Sequence, residues 1–210
     1  MRNSFKHLVV GSLLLLGGAA CADLEVVNLN DADAARALST PGDVESLISG
    51  SFNCWFWGPH AYGGSSMFMS NAAFQHNAPW ANAAMEFYAR IPRVGMINQS
   101  ADQYYGNFTR AYYRSYRAIA SLADGLRALD DPDIADALGA DQVAMDRAYG
   151  KYVQALSHAT VALMYDRGFL VTEDTDLAEA QEPLGYLALM DEALALFDEV
   201  ISLSNAGSFT

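Results

Sequence analysis

Three long stretches in which apolar side chains recur at helical spacing constrain the fold of this chain more than any other feature. The first should begin near Asp102 and end at Asp130-Asp131-Pro132. Its apolar residues recur every three or four positions, which places them on one face of an α-helix: Phe108, Tyr112, Tyr116, Ile119, Leu122, Leu126 and Leu129. The second stretch covers 141–166 and the third 184–203. Because no run of comparable length alternates at the two-residue period of a β-strand, the sequence predicts an all-α fold.

The second and third stretches also predict which side chains face the core. The stripe of the second consists of Tyr149, Tyr152, Val153, Leu156, Leu163 and Met164. The stripe of the third consists of Leu187, Met190, Leu194, Phe197 and Ile201, widened by Leu189, Leu196 and Val200. Short polar connections between long helices favour antiparallel helix hairpins. The segments "AYYRSYRAIA" and "RAYGKYVQAL" are faintly similar and lie about 36 residues apart, near the period of tetratricopeptide repeats.

A further helix is predicted ahead of these three, running to about Trp57 and stopping at Gly58-Pro59. Its start carries a capping threonine, a proline suited to the first turn and an aspartate near the positive end of the helix dipole: Thr40, Pro41 and Asp43. Residues 58–100 are expected to be irregular and rich in loops, with shorter helical pieces near 66–74 and 82–89. We expect 40–210 to form one helical domain.

The first 20 residues have the three-part layout of a secretory signal peptide. Two basic residues precede an apolar block at 8–16, and small residues follow it. The block is shorter than the roughly 20 residues that span a bilayer, so removal of 1–20 is expected. Cys21 then stands where a bacterial lipobox has its acylated cysteine, and 21–39 is predicted to be an extended leader. The alternative is an ordinary cleaved signal followed by an unmodified cysteine.

The composition excludes several classes of partner. The formal net charge is −13, with 25 acidic residues against 12 basic ones. Such a balance argues against nucleic acid and against docking on anionic lipid headgroups, because both need basic patches. With 52% hydrophobic residues the chain is expected to fold. If Cys21 carries lipid, Cys54 has no disulfide partner, and we expect it to be a small buried core residue.

Several stretches, taken in order, resemble the SusD/RagB family of nutrient-binding surface lipoproteins. "ADLEVVNLN" after the lipobox cysteine is similar to the family's leader, and "TPGDVESLISGSFNCWF" resembles its first helix. "YYRSYRAIASLADGLRAL", "AYGKYVQALSHATVALMYDRGFLV" and "YLALMDEALALFDEVISL" resemble its next helices. The turn Asp166-Arg167-Gly168-Phe169 departs from the usual Tyr-Gly of the family. Because members are usually longer, 40–210 is expected to be a SusD-like domain truncated at its C-terminus.

The resemblance implies a binding protein without catalytic activity or cofactor. Such a lipoprotein is anchored in the bacterial outer membrane by lipid alone and faces the cell exterior. It sits over a TonB-dependent, SusC-like transporter, captures an oligosaccharide or sometimes a peptide, and passes it to the transporter. The fold that the resemblance implies is built on tetratricopeptide-like helix pairs.

Aromatic residues concentrate between Phe52 and Tyr116, a segment that includes all three tryptophans. Flat ring faces with polar edges suit sugars, which also need amide and guanidinium partners. The loop "FQHNAPWANAAMEFYARIPR" supplies both kinds of group, and we predict the ligand site there: Trp80, Asn77, Asn82, Tyr88 and Arg90. A core position for Trp80 is the alternative. The tryptophans of the first helix, Trp55 and Trp57, are expected to pack against it.

Two other functions compete with nutrient binding. One is a helical-repeat adaptor lipoprotein that holds other envelope proteins through protein–protein contacts. The other is a lipid-anchored hydrolase, for which Glu86 and Asp102 could form a carboxylate pair; nothing in their spacing requires this. The histidines lack the spacing of metal ligands, so no metal site is predicted, and His158 is expected within a helix interface.

Overall fold

A computed structural model describes residues 38–76, 85–91 and 99–207. They belong to one compact unit, Ala34–Thr210. The described part is all-α apart from one small sheet, as the apolar spacing predicts. The predicted signal peptide, the lipidation site Cys21 and nearly all of the leader lie outside the described residues.

The helices of the described ranges are α1 Pro41–Phe56, α2 Ser65–Ala72, α3 Met85–Ala89, α4 Tyr105–Ala128, α5 Pro132–Leu138, α6 Ala140–Met164 and α7 Tyr186–Ala206. Two-residue strands, β1 Arg167–Gly168 and β2 Leu184–Gly185, pair antiparallel. The three long predicted helices are confirmed as α4, α6 and α7, with ends that differ from the prediction by a few residues. The short helix α5 and the sheet were not predicted.

The capping prediction for α1 is confirmed by its hydrogen bonds. Thr40 accepts the backbone N–H of Asp43 on its side-chain Oγ1 at 3.3 Å, and proline occupies the first turn. The same device starts α5, where Asp131 Oδ1 accepts the N–H of Asp133 at 2.9 Å and Pro132 follows the cap. The sequence Asp-Asp-Pro therefore both ends α4 and begins a new helix, because a proline that breaks one helix fits the first turn of the next.

The main core forms where α1, α4 and α6 meet. Its buried apolar residues are Val44, Ile48, Leu122, Leu126, Leu129, Ile134 and Val153. Two glycines allow the close approach of these helices. A Cβ atom on Gly125 would lie 2.7 Å from Ile48 Cγ1, and one on Gly150 would lie 2.7 Å from Leu126 Cδ2. Both distances are shorter than a carbon–carbon van der Waals contact, so the absence of a side chain sets the spacing of the helices.

The predicted apolar stripe of α7 is only partly the buried one. Leu189, Ala193 and Leu196 are buried, and α7 packs against α6, whereas Leu187, Leu194 and Ile201 of the predicted stripe are exposed. A similar correction applies to α6. Val153 of its predicted stripe is buried, as predicted, but Tyr149, Tyr152 and Leu163 are exposed, and Val161, outside the stripe, is buried. Apolar residues cover more than one face of α7, and the position of its neighbour decides which face becomes core.

Polar side chains complete the buried face of α6. Lys151 Nζ lies 2.7 Å from Glu173 Oε1 and 3.2 Å from Glu199 Oε2, and the Lys151 and Glu173 side chains are only 7% and 8% exposed. Burial alone lowers the pKa of Lys151, but the hydrogen bonds and charges of the two glutamates outweigh it, so the pKa lies above its ordinary value. This charge network ties α7 and the segment after β1 to α6.

His158 lies at a buried interface, as predicted for this residue. It is fully buried on α6, and its Nε2–H donates to the carbonyl of Val171 at 2.9 Å. Burial lowers the pKa of His158, which favours the neutral ring. The hydrogen bond thus fixes the segment after β1 against α6 at a second point.

Gly168 is the position where we expect the smallest substitution to damage the fold. A Cβ atom there would lie 2.6 Å from Val161 Cγ1, 2.7 Å from Leu189 Cδ2 and 2.8 Å from the Tyr116 hydroxyl. Because these atoms belong to three different helices, the overlap cannot be relieved by one rotation. We expect Gly168→Ala to lower the free energy of unfolding by about 1–3 kcal/mol, measured by urea denaturation.

Gly50 provides the matched control. It lies in the interior of α1, and nothing lies within 4 Å of an added Cβ atom. Alanine favours the helix over glycine by roughly 1 kcal/mol, so Gly50→Ala should raise the stability by up to that amount. Equal effects of the two substitutions would contradict the close packing around Gly168.

Candidate functional site

An aromatic cavity of about 720 Å³ lies between α2, the first half of α4 and the end of α6. We call it the aromatic groove. It is lined by Ser65, Phe68, Met69, Tyr105, Phe108, Thr109, Tyr112, Tyr113, Leu163, Met164, Tyr165, Asp166 and Arg167. Six of these thirteen residues have aromatic rings, and Asp166 and Arg167 carry opposite charges. The groove therefore combines apolar faces with polar groups at its edge.

Helix α4 supplies most of the rings because of its spacing. Tyr105, Phe108 and Tyr112 follow one another at three- and four-residue steps, which brings them to one side of the helix. Tyr113 adds a ring beside them and is 60% exposed. The groove therefore presents at least one aromatic face to solvent, backed by rings that are half-buried.

Tyr165, which ends α6, fixes the opposite wall of the groove. Its hydroxyl donates to the carbonyl of Phe108 at 2.5 Å and accepts the backbone N–H of Tyr112 at 3.0 Å. In an uninterrupted helix the N–H of Tyr112 donates directly to the carbonyl of Phe108. Here the Tyr165 hydroxyl lies between these two groups and forms a hydrogen bond with each. Burial raises the pKa of Tyr165 to about 12, which keeps the bridging proton in place.

The predicted site residue Tyr88 lies behind the groove. It is 1% exposed, and its ring packs 4.7 Å from Phe68 and 5.4 Å from Phe108 between ring centroids. Burial raises the pKa of the Tyr88 hydroxyl, which has no hydrogen-bond partner among the described residues. Tyr88 thus supports two groove-lining rings from behind and offers no open ring face of its own.

The other predicted site residues are only partly described. Arg90 is exposed, and its guanidinium lies 2.7 Å from Glu86 Oε1, one turn earlier. Trp80, Asn77 and Asn82 lie outside the described residues, so their prediction remains a prediction. The carboxylates considered for hydrolysis are engaged elsewhere: Glu86 pairs with Arg90, and Asp102 Oδ1 accepts the N–H of Tyr104 at 2.7 Å.

The two tryptophans at the end of α1 differ in burial: Trp55 lies against the core and Trp57 at the surface. Trp55 packs against the main core, and its indole N–H donates to Thr160 Oγ1 at 2.8 Å, as expected for a packed residue. Trp57 is 51% exposed, which corrects the expectation that it packs against the helix. Cys54 is half-buried rather than fully buried, and its thiol donates to the carbonyl of Arg114 at 3.7 Å.

The sequence pattern alone did not single out the groove. Phe108 and Tyr112 belong to the apolar stripe of α4, which the helical period assigns to the core. Tyr105 and Tyr113 lie beside that stripe. Their position in the sequence could have indicated the groove, because large aromatic residues next to a core face are candidates for exposed binding surfaces. Arg167 could not be placed there without the tertiary fold.

Comparisons with known proteins do not add to this geometry. A scan against protein-family models, a search of curated proteins and a search of solved structures each find no match. Within the described ranges, no helix is both long enough and apolar enough to cross a membrane. No three histidine, cysteine or acidic side chains of those ranges gather where they could hold a metal ion.

Proposed function

We propose that this chain is a surface-exposed nutrient-binding lipoprotein of the SusD/RagB type. It captures an oligosaccharide, or a peptide, and delivers it to a TonB-dependent transporter in the outer membrane. The observation that carries the proposal is the aromatic groove, since a cavity of about 720 Å³ lined by six rings is of the size that small-molecule sites have. The family resemblance supplies the transporter as partner.

The chemistry of the groove suits reversible binding of sugars. The C–H face of a pyranose packs on an aromatic ring, and the exposed ring of Tyr113 offers such a face. Hydroxyl groups of the sugar can then bond to Thr109, Asp166 and Arg167 at the edge of the groove. Binding of this kind needs no bond to be made or broken, which agrees with a capture role.

Substitution of two groove rings on α4, the exposed Tyr113 and the half-buried Tyr105, tests the groove directly. An aromatic contact contributes about 0.5–1.5 kcal/mol, so Tyr105→Ala combined with Tyr113→Ala should weaken oligosaccharide binding roughly tenfold. Calorimetry against a panel of neutral oligosaccharides and peptides measures this. Tyr186→Ala is the matched control, because this tyrosine is also exposed but lies outside the groove on α7. Unchanged affinity in the double variant, or no binding by the wild type, would refute the groove as the site.

Membrane attachment through Cys21 is the second part of the proposal. Cys21→Ser removes the only thiol of the lipobox-like sequence, and multiple acyl chains are needed for stable anchoring. We therefore expect this variant to move from the membrane fraction to the soluble fraction, whereas Cys54→Ser stays with the membrane. Mass spectrometry of the N-terminal peptide measures the modification, and an unmodified Cys21 in the wild type would disprove the anchor.

One observation favours the adaptor function as a second candidate. Leu187, Leu194 and Ile201 are exposed on α7 at seven-residue intervals, the spacing that brings apolar residues to a helix–helix seam. An adaptor would bind another helical protein along this line. Contiguous exposed apolar surface is one of the features that mark protein–protein contacts.

Charge substitution on α7 separates the two candidates. If the chain is an adaptor, Leu194→Lys with Ile201→Lys should release a copurifying envelope protein, because a lysine cannot be buried in an apolar seam without large cost. Leu177→Lys is the control, since Leu177 is equally exposed but lies in a loop. Retention of every partner by the double variant, together with intact oligosaccharide binding, would favour nutrient capture.

A further inference from the structure

A second cleft, of about 300 Å³, lies between α1 and α4 and differs in chemistry from the aromatic groove. We call it the arginine cleft. Its wall on α4 carries Arg114 and Arg117, and its wall on α1 and the following turn carries Asn53 and Trp57. The cleft thus brings two guanidinium groups, an amide and an indole to one concave surface.

The two arginines are free to bind an anion. Four of the eight basic side chains in the described ranges form ion pairs with carboxylates: Arg90, Arg127, Arg147 and Lys151. Arg110 and Arg167 form none within those ranges, but they lie outside this cleft. No carboxylate of the described residues lies within salt-bridge distance of Arg114 or Arg117. In a chain with 25 acidic residues against 12 basic ones, two neighbouring unpaired guanidinium groups in a cleft form a local positive site.

The position of both arginines is set by the packing of α4. They are three residues apart on one helix, so their side chains leave the same face. The backbone at Arg114 is held by the thiol of Cys54, which donates to its carbonyl at 3.7 Å. Gly58, after the end of α1, packs so closely that an added Cβ atom would lie 3.1 Å from Arg114 Cβ. The α4 wall is therefore fixed relative to Trp57.

We propose that the arginine cleft binds the carboxylate of an acidic sugar, a uronic acid residue. A guanidinium group matches a planar carboxylate with two parallel hydrogen bonds, and a pair of them can hold both of its oxygens. The ring of Trp57, 51% exposed, provides the flat face on which a pyranose packs. Asn53 offers both a donor and an acceptor for the sugar hydroxyls. This assignment does not depend on the aromatic groove.

The test uses sodium glucuronate and glucose as probes, with binding followed by NMR titration of the purified protein. Glucuronate should shift the Trp57 indole signal and the amides of α1 and α4 near the cleft, and glucose should not. Combined Arg114→Gln and Arg117→Gln should weaken glucuronate binding tenfold or more, because hydrogen bonds to charged groups are lost. Higher salt should weaken it as well, since the site is open to solvent.

Arg147→Gln is the control for loss of an arginine charge, because it removes one guanidinium group at a position outside the cleft and should leave glucuronate binding unchanged. Trp57→Ala should also weaken glucuronate binding, and inorganic sulfate should bind more weakly than glucuronate. Both arginines are exposed, so circular dichroism should show the folded helical spectrum in the double variant.

Three results would overturn the inference: no binding of glucuronate, binding unaffected by the double arginine variant, or binding indifferent to Trp57→Ala with sulfate held equally well. The last would identify a general anion site without sugar recognition. Failure of this inference is distinct from failure of the proposed function. Neutral oligosaccharides bound in the aromatic groove with no glucuronate in the cleft would overturn this inference alone. Glucuronate bound in the cleft with no oligosaccharide or peptide bound in the groove would overturn the groove as the site of the proposed function and leave this inference standing.

Discussion

The contact on which the rest of this structure depends is the close approach of α1 and α6 to the second half of α4. Ile48 lies over Gly125, and Leu126 lies over Gly150, at positions where one added carbon atom would overlap. On α4, Leu126 therefore contacts α6, and Gly125 leaves space for Ile48 of α1. Since the aromatic groove uses the first half of α4 and the arginine cleft its middle, this packing determines the walls of both sites.

The segment after α6 is held to the helices by polar groups as well as by apolar packing around Val161 and Leu189. Tyr116 exchanges hydrogen bonds with both backbone groups of Phe169, and the ion pair of Lys151 with Glu173 lies further along the segment. The Lys151–Glu173 pair is buried and the Tyr116–Phe169 hydrogen bonds are partly buried, so leaving one partner unpaired would be costly. The groove wall formed by Tyr165 and Arg167 is consequently part of a fixed segment.

The two candidate sites illustrate different limits of reasoning from sequence. Local concentration of aromatic residues directs attention to the segment that ends at Tyr116, and Tyr88 of the predicted site packs against two rings of the groove. Its burial could not be foreseen, because it depends on Phe68 and Phe108, which come from two other helices. Trp57 and Arg114 likewise line one cleft although they are distant in sequence, so no spacing rule could reveal it.

The sequence by itself determined the all-α class, the three long helices and the cap at Thr40, because these follow from periodicity and from hydrogen bonds between near neighbours. Only the tertiary structure decided which apolar face of α7 is buried. Leu187 and Leu189 are equally apolar, yet one is exposed and the other buried, since burial depends on where α6 lies. A helical pattern specifies that a face can be buried, whereas the packing of neighbouring helices selects the face.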